Sequence, residues 1–189
     1  FRCNISGDRN TAMTSFGNCI FSTDADDNIS FNAAWFGCSA LTSFPALNLS
    51  RGTIFTDTWH ACGGLESFGE CTFSTDADDD VSFTNTWDSC TALTSFPALN
   101  LSRGTNFYKS WRNCTSLTSF PVVTFTTDAD DDVSFASAWN GCTGLTSFPS
   151  YLNLARGTNF QGAWEGCTGL TSFPAVTFST HADDDITFA

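Results

Sequence analysis

The sequence predicts a solenoid in which short parallel strands, short helices and turns wind into coils of 24 to 28 residues. The first observation is a recurring tryptophan, found at Trp35, Trp59, Trp87, Trp111, Trp139 and Trp164. The second is that each of these tryptophans has Phe four residues before it, Cys three residues after it and Leu six residues after it. Repeats of this length bury their apolar side chains by stacking on their neighbours, as the coils of a solenoid do.

The third observation is an alternation between two kinds of link, which produces alternating short and long coils. The short link reads FPALNLSRGTNF (96–107) and the long link reads FPVVTFTTDADDDVSF (120–135). We expect residues 1–189 to form a single repeat array, with a degenerate first unit over 1–30 and regular units over 31–189. The chain is expected to be an excerpt of a longer array.

Each unit is expected to contain one short helix and two short strands. Starting from Phe31, the repeated apolar residues fall at i, i+4, i+7 and i+10, which places them on one face of a short helix. The LTSF and ALNLS segments that follow have the composition of short strands. Prolines such as Pro45 end the first strand, because proline has no amide hydrogen to donate to a neighbouring strand.

The segment FTNTWDSCTALTSFP (83–97) resembles the leucine-rich repeat of bacterial surface proteins of the BspA-like, or treponemal, type. It is also similar to Trp-Cys-LTSFP repeat arrays of bacteriophage tail and fibre proteins. The resemblance covers residues 31–174, although this chain has Trp where those repeats usually have Phe, and adds an acidic link in every second unit. It implies a leucine-rich-repeat-like solenoid that is extracellular, on a cell surface or on a virion, and serves adhesion or scaffolding.

The charge of the chain restricts its partners. The formal net charge is −13, with 20 acidic residues against 7 lysines and arginines. Such a surface repels nucleic acids and anionic membranes and attracts cations, so no nucleic-acid partner is expected. Insertion into a membrane is not expected either, because no apolar run is long enough to span a bilayer.

The acidic segment FSTDADDDVSF (73–83) recurs with small changes at 21–31, 125–135 and 178–188, and we call these four segments the acidic links. Ca²⁺ takes six to eight oxygen ligands from flexible loops, so the repeated carboxylates are candidate calcium ligands. No other cofactor is expected. The candidate ligands are Asp24, Asp26, Asp27, Asp76, Asp78, Asp79, Asp80, Asp128, Asp130, Asp131, Asp132, Asp183, Asp184 and Asp185.

The acidic links are equally compatible with solvated turns that bind no metal. Aspartate favours tight bends and accepts hydrogen bonds from nearby backbone amides, so its recurrence at a bend does not require a cation. The charge of the links would be partly compensated if Arg51, Arg103 and Arg156, which lie in the intervening short links, alternated with them along the stack. One arginine for three or four aspartates does not neutralise them.

The nine cysteines allow two interpretations. Equivalent residues of adjacent coils lie about 4.8 Å apart, which is within the Cα separation of a disulfide, and Cys3–Cys19 and Cys62–Cys71 are further pairs within units. A single cysteine on an apolar face, however, usually packs as a small hydrophobic residue. We expect free, buried thiols, and no zinc site, because no Cys-x-x-Cys pair is present.

Two functions follow as alternatives, and neither is enzymatic. The two histidines, His60 and His181, are not repeated, so a regular stack gives no reason for a catalytic triad to assemble. The first alternative is a structural or adhesive module of an extracellular fibre, surface protein or phage appendage, whose partners are further copies of itself or a surface glycan or protein. The second is a specific glycan- or protein-binding module that uses the variable residues around each Trp, such as those of TDTWHAC (56–62).

Overall fold

A computed structural model of the chain is a parallel β-solenoid, which confirms the predicted stack of coils. The largest sheet has six strands, one from each of six successive coils. Within the described part of the chain, no helix is long and apolar enough to cross a membrane. The structure describes residues 10–24, 28–76, 78–128, 132–179 and 185–188.

The described residues contain ten short strands in three parallel sheets. The six-stranded sheet has the order β1-β3-β5-β6-β7-β9, and the two smaller sheets pair β2 with β4 and β8 with β10. Each strand pairs with the equivalent segment of the neighbouring coil. The strands are β1 (Ile29–Ser30), β2 (Ser43–Phe44), β3 (Gly52–Ile54), β4 (Ser67–Phe68), β5 (Val81–Ser82), β6 (Gly104–Asn106), β7 (Val133–Ser134), β8 (Tyr151–Leu154), β9 (Gly157–Asn159) and β10 (Ala175–Phe178).

The prediction of short helices is wrong for the described residues, where the segment from Phe to Cys is a run of overlapping turns. In a helix, each amide would donate to the carbonyl four residues earlier. Here every second amide donates to the next coil, as Trp35 N does to Thr58 O at 2.8 Å. The intervening amides donate three residues back, as Cys38 N does to Trp35 O at 3.2 Å. The leucine-rich-repeat identity therefore stays an expectation, while the solenoid itself is established.

The turns explain why the apolar spacing imitates a helix. One turn begins at Phe31 and the next at Trp35, so the two rings are four residues apart. The third residue of each turn has positive φ, 53° at Ala33 and 69° at Gly37, as a type II turn requires. The same two positions have positive φ in each of the five following coils, at Asp57, Ala61, Asn85, Ser89, Lys109, Asn113, Ser137, Gly141, Gly162 and Gly166.

A column of stacked indoles forms the centre of the core, and we call it the Trp column. Successive ring centroids lie 5.3 to 5.7 Å apart, and the ring planes are within 7° of parallel. Offset stacking at such distances is favourable for aromatic rings. Five of the six indoles are at most 1% exposed; the members are Trp35, Trp59, Trp87, Trp111, Trp139 and Trp164.

Two columns of phenylalanine flank the indoles. The first Phe column begins each run of turns, and its rings stack 5.2 to 5.5 Å apart. The second Phe column comes from the LTSF segments and contacts the indoles edge to face, as Phe68 does with Trp59 at 4.8 Å. The first contains Phe31, Phe55, Phe83, Phe107, Phe135, Phe160 and Phe188, and the second Phe16, Phe44, Phe68, Phe96, Phe120, Phe148 and Phe173.

The alternation of short and long coils has a packing reason. The long link supplies a ring that lies edge-on to two successive members of the first Phe column: Phe73 is 5.0 Å from Phe55 and 5.3 Å from Phe83. The short link supplies a buried leucine at the neighbouring level, where Leu49 N donates to Thr72 O at 2.8 Å. Because one edge-on ring spans two levels, a smaller side chain fits between successive rings of this kind.

We predict that Trp87→Ala lowers the free energy of unfolding by about 3–5 kcal/mol, because it removes a fully buried ring that stacks on indoles above and below. The matched control is Val122→Ala, since Val122 is 62% exposed and its truncation should change stability by about 0.5 kcal/mol or less. Urea denaturation followed by circular dichroism measures both. Equal stability of the two variants would show that the stacked indoles do not stabilise the fold.

Candidate functional site

The acidic links follow one another along a single edge of the solenoid. The first three lead into β1, β5 and β7, which belong to the same sheet and alternate with strands of the short coils. Most described carboxylates of the links are exposed, and Asp79 is half-buried. The predicted ligands Asp26, Asp27, Asp130, Asp131, Asp183 and Asp184 lie outside the described residues.

The second acidic link is a compact turn held by its own side chains. The Ser74 hydroxyl is buried, donates to Asp79 Oδ2 at 2.5 Å and accepts the amide of Asp76 at 3.1 Å. The Asp78 amide is 3.3 Å from Asp76 Oδ1, and the Asp79 amide donates to Asp76 O at 3.2 Å. Two of the predicted ligands therefore accept hydrogen bonds within the loop, as expected of a solvated turn.

The first and third links repeat this hydroxyl contact. The Asp24 amide donates to Ser22 Oγ at 3.2 Å, and the Asp128 amide donates to Thr126 Oγ1 at 3.1 Å. Thr126 is buried like Ser74, so a hydroxyl at this position anchors the start of the bend. The Ser/Thr before the aspartates is therefore part of the turn, a role that the repeated FST or FTT triplet signals in the sequence.

An arginine lies between the second and third acidic links. Arg103 Nε donates to Asp79 O at 3.0 Å, and its guanidinium forms an ion pair with Asp128 Oδ2 at 3.7 Å. Its own carbonyl accepts the amide of Val81 at 2.8 Å. The contacts of Arg103 confirm the alternation of arginine with acidic links for this residue. The carbonyls of Arg51 and Arg156 accept the equivalent amides, from Ile29 at 2.7 Å and from Val133 at 2.8 Å.

Metal ligation by the acidic links stays a prediction. In the part of the chain that the structure describes, no group of three or more His, Cys, Asp or Glu side chains is arranged to hold a metal ion. The described residues Asp76, Asp78 and Asp80 are exposed at the edge of the stack. They are available to a cation only together with further oxygen ligands, such as backbone carbonyls or water.

An ion pair between a buried carboxylate and a partly exposed arginine lies beside the Trp column, and the repeat pattern alone does not predict it. Asp88 is fully buried and accepts hydrogen bonds from Arg112 Nε at 3.0 Å and Nη2 at 2.6 Å. Ser89 Oγ donates to the other carboxylate oxygen at 2.9 Å. A buried carboxylate is tolerated only when it is paired and hydrogen-bonded in this way. The signal is nevertheless present in the sequence, because Asp88 and Arg112 both directly follow a Trp in adjacent coils.

Other variable residues around Trp contact one another within a coil and across coils. His60 Nδ1 lies 2.9 Å from Asp57 Oδ1, and His60 Nε2 lies 3.9 Å from Asp88 Oδ2. Asn140 Nδ2 donates to Glu165 Oε2 at 3.0 Å. Several residues that the second functional alternative assigned to recognition therefore bind their counterparts in a neighbouring coil.

The cysteines that follow each Trp form a buried column of free thiols. The thiol of each coil donates to the Trp carbonyl of the preceding coil at 3.0 to 3.3 Å, as Cys62 does to Trp35 and Cys114 does to Trp87. Burial raises the pKa of Cys142 to about 12 and that of Cys71, in a separate apolar position, to about 11. Burial also raises the pKa of Cys90 and Cys114. All eight described cysteines are free, so Cys62 and Cys71 are not bridged; Cys3 lies outside the described residues.

The threonines of the LTSF segments form an exposed row. The Thr94 hydroxyl lies 3.3 Å from Glu66 O, Thr118 donates to Thr94 O at 3.4 Å, and Thr146 donates to Thr118 O at 3.0 Å. These bonds hold each hydroxyl against the preceding coil. The row is accordingly part of the coil-to-coil hydrogen bonding as well as part of the surface.

Comparison with known proteins gave no match to a family model, to a curated protein sequence or to a solved structure. The family resemblance of the repeat therefore depends on the Trp, Cys and LTSFP spacing alone.

We predict that the stability of the protein falls steeply above about pH 8.5, the pKa of an unperturbed thiol. Because folding raises the pKa of the buried thiols, the folded state holds more protons than the unfolded chain above that pH. The stabilisation is complete below about pH 8.5 and is lost toward the folded pKa values, at about 1.4 kcal/mol per pH unit for each thiol. Urea denaturation at several pH values between 7.5 and 10.5 measures how the free energy of unfolding changes with pH.

The matched control is Cys142→Ser, which keeps a hydroxyl to donate to the Trp111 carbonyl but cannot ionise in this range. In this variant, the free energy of unfolding should fall less steeply with pH than in the wild type, by the contribution of one thiol, about 1.4 kcal/mol per pH unit. A wild-type stability that does not change between pH 7.5 and 10.5 would contradict the buried state of the thiols.

Proposed function

We propose that the chain is a non-enzymatic structural or adhesive module, and that it forms part of an extracellular fibre, a surface protein or a phage appendage. The observation that carries this proposal is the unbroken stacking of three aromatic columns through successive coils. Such stacking makes a stiff rod out of a repeating sequence, because every coil is held to both of its neighbours. Its partners are further copies of the chain or a glycan or protein on a surface.

The polar groups near the core support a structural role over catalysis. His60 is held by Asp57 on one side and faces the buried Asp88 on the other, while Asp88 is engaged by Arg112. The thiols, which would be the strongest nucleophiles, are buried with raised pKa values. These groups hold adjacent coils together, which is the task that a rod requires of them.

The proposed location outside the cell is supported by the resemblance of the repeat to surface and phage proteins and by the acidic surface. A net charge of −13 keeps a rod soluble and limits unspecific binding to nucleic acids. Association of rods is part of the proposal, since further copies of the chain are among its proposed partners.

Ca²⁺ is proposed to stiffen the acidic edge. Arg103 compensates one carboxylate of the third link and one carbonyl of the second, whereas each link carries three or four aspartates. Unit charges about 10 Å apart repel by about 0.4 kcal/mol in water and by about four times as much at an effective dielectric constant of 20. A divalent cation at each link would remove this repulsion.

We predict that 1 mM CaCl₂ raises the melting temperature by about 5–10 °C relative to EGTA, if the dissociation constant is about 10 µM. Equal concentrations of MgCl₂ should have a smaller effect, because Mg²⁺ requires a stricter ligand geometry. The double variant Asp78→Asn, Asp80→Asn should reduce the shift, and Glu70→Gln, which removes an exposed charge outside the links, should retain it. Equal melting temperatures in CaCl₂ and in EGTA would contradict Ca²⁺ binding, and the acidic links would then be solvated turns.

The location is tested with an antibody raised against the folded chain, applied to the organism or particle that encodes it. We predict labelling of intact cells or of assembled particles without permeabilisation. An antibody against a known internal protein of the same sample serves as the control for intactness. Labelling that requires permeabilisation or particle disruption would contradict the proposed function.

A further inference from the structure

An open groove crosses the side of the solenoid where the residues that follow Phe become small. Its volume is about 640 Å³, which is within the range of small-molecule sites. Tyr108 and Lys109 form one side, and Gln161, Glu165 and the exposed Phe188 of the coil that follows form the other. The floor between them consists of Ala136 and Ser137.

The groove results from a difference between neighbouring coils. The two residues after Phe are Tyr108 and Lys109 in one coil, and Ala136 and Ser137 in the next. In the coil after that, Gly162 occupies the second position with a φ of 60°. At the second position, the long side chain of Lys109 is therefore followed by the shorter Ser137 and Gly162, and the space that they leave is part of the groove.

Two side chains of the groove, those of Lys109 and Glu165, contact neighbouring residues before any ligand arrives. The Tyr108 amide donates to Asn106 Oδ1 at 3.0 Å, and Lys109 Nζ lies 4.5 Å from the centre of the Tyr108 ring. On the other side, Glu165 Oε2 accepts a hydrogen bond from Asn140 Nδ2 at 3.0 Å. Fixed side chains lose less conformational entropy on binding, which favours affinity.

The polar groups of the groove alternate between donors and acceptors. Lys109 donates, Glu165 accepts, and the Ser137 hydroxyl and the Gln161 amide do both. The ring of Tyr108, which is 37% exposed, adds an apolar surface. A sugar presents the complementary surface, because its hydroxyls both donate and accept while its C–H groups pack against aromatic rings.

We propose that this groove binds a short neutral oligosaccharide. The single ammonium of Lys109 is balanced by Glu165, and a net charge of −13 opposes an anionic ligand. The mixture of amide, hydroxyl and carboxylate groups is too polar for an extended apolar peptide. The volume accommodates a chain of two or three sugar rings.

This inference rests on the adhesive form of the function proposed above and deepens it, because it assigns to the surface glycan a binding groove and a chemical class. Its test is also separate: loss of sugar binding would leave the surface labelling of the rod unchanged, and internal labelling would leave sugar binding unchanged.

The experiment is a titration of the whole chain, followed by heteronuclear NMR, with cellotriose, maltotriose, mannotriose and triacetylchitotriose up to 10 mM. We expect at least one trisaccharide to shift the resonances of Gln161 and Ser137 in a saturable manner. Ala136→Tyr should weaken that binding at least tenfold, because it places on the floor the side chain that Tyr108 carries one coil earlier. The matched control Thr56→Tyr makes the same change at the equivalent position two coils before Tyr108, outside the groove, and should bind as the wild type does.

A second variant, Gln161→Ala, removes an exposed amide and tests the groove if Ala136→Tyr fails to fold; it should also weaken binding at least tenfold. Thermal melting establishes that each variant is folded. The proposal is overturned if no neutral trisaccharide shifts the groove resonances, or if folded Ala136→Tyr or Gln161→Ala binds as tightly as Thr56→Tyr. Tighter binding of trigalacturonate than of every neutral trisaccharide would overturn it as well.

Discussion

Hydrogen bonds between equivalent backbone groups of adjacent coils hold the stack in register, and the rest of the structure depends on them. Along the runs of turns these bonds are 2.7 to 3.0 Å long, so equivalent side chains must lie one above another. Aromatic rings fit this arrangement, because flat rings can stack one above another. The indole N–H groups of Trp59, Trp87, Trp111, Trp139 and Trp164 have no acceptor, at a cost of about 1–3 kcal/mol each. Burial of an indole contributes about 4–6 kcal/mol, which outweighs that cost.

The same register would place like charges above one another, and the chain avoids this in three ways. The acidic links occur only in every second coil, and Arg103 lies between two of them. The residues after Trp change from coil to coil, so that Asp88 meets Arg112. The column that does repeat one titratable residue uses cysteine, whose buried thiol stays neutral and donates to a carbonyl. Sequence variation at the surface is thus partly a requirement of stacking.

The period of the sequence is sufficient to predict the solenoid, the buried Phe, Trp, Cys and Leu positions, and the place of Arg103 between acidic links. The period does not determine the local backbone conformation, because a helix and a series of consecutive turns both place apolar residues at i, i+4 and i+7. Glycine at Gly37, Gly141 and Gly166, two residues after Trp, indicates a turn, since a helix interior disfavours glycine. The burial of Asp88 is not predictable from the period, because it depends on a partner 24 residues away. The polarity of single residues therefore does not predict that two charged residues of different coils will form a pair.

A solenoid of this kind separates the requirements of folding from those of function. The core columns repeat, so each coil folds by contacting only its two neighbours. A surface residue is restricted by near neighbours in its own coil and in the adjacent coils, as Asp57 is by His60 and Asn85. A site can therefore arise wherever consecutive coils differ in side-chain size, without any change to the core. The change from Tyr108 to Ala136 is such a difference, and it contributes to the groove described above. In a repeat array, departures from the repeat are thus the positions at which specific binding is to be sought.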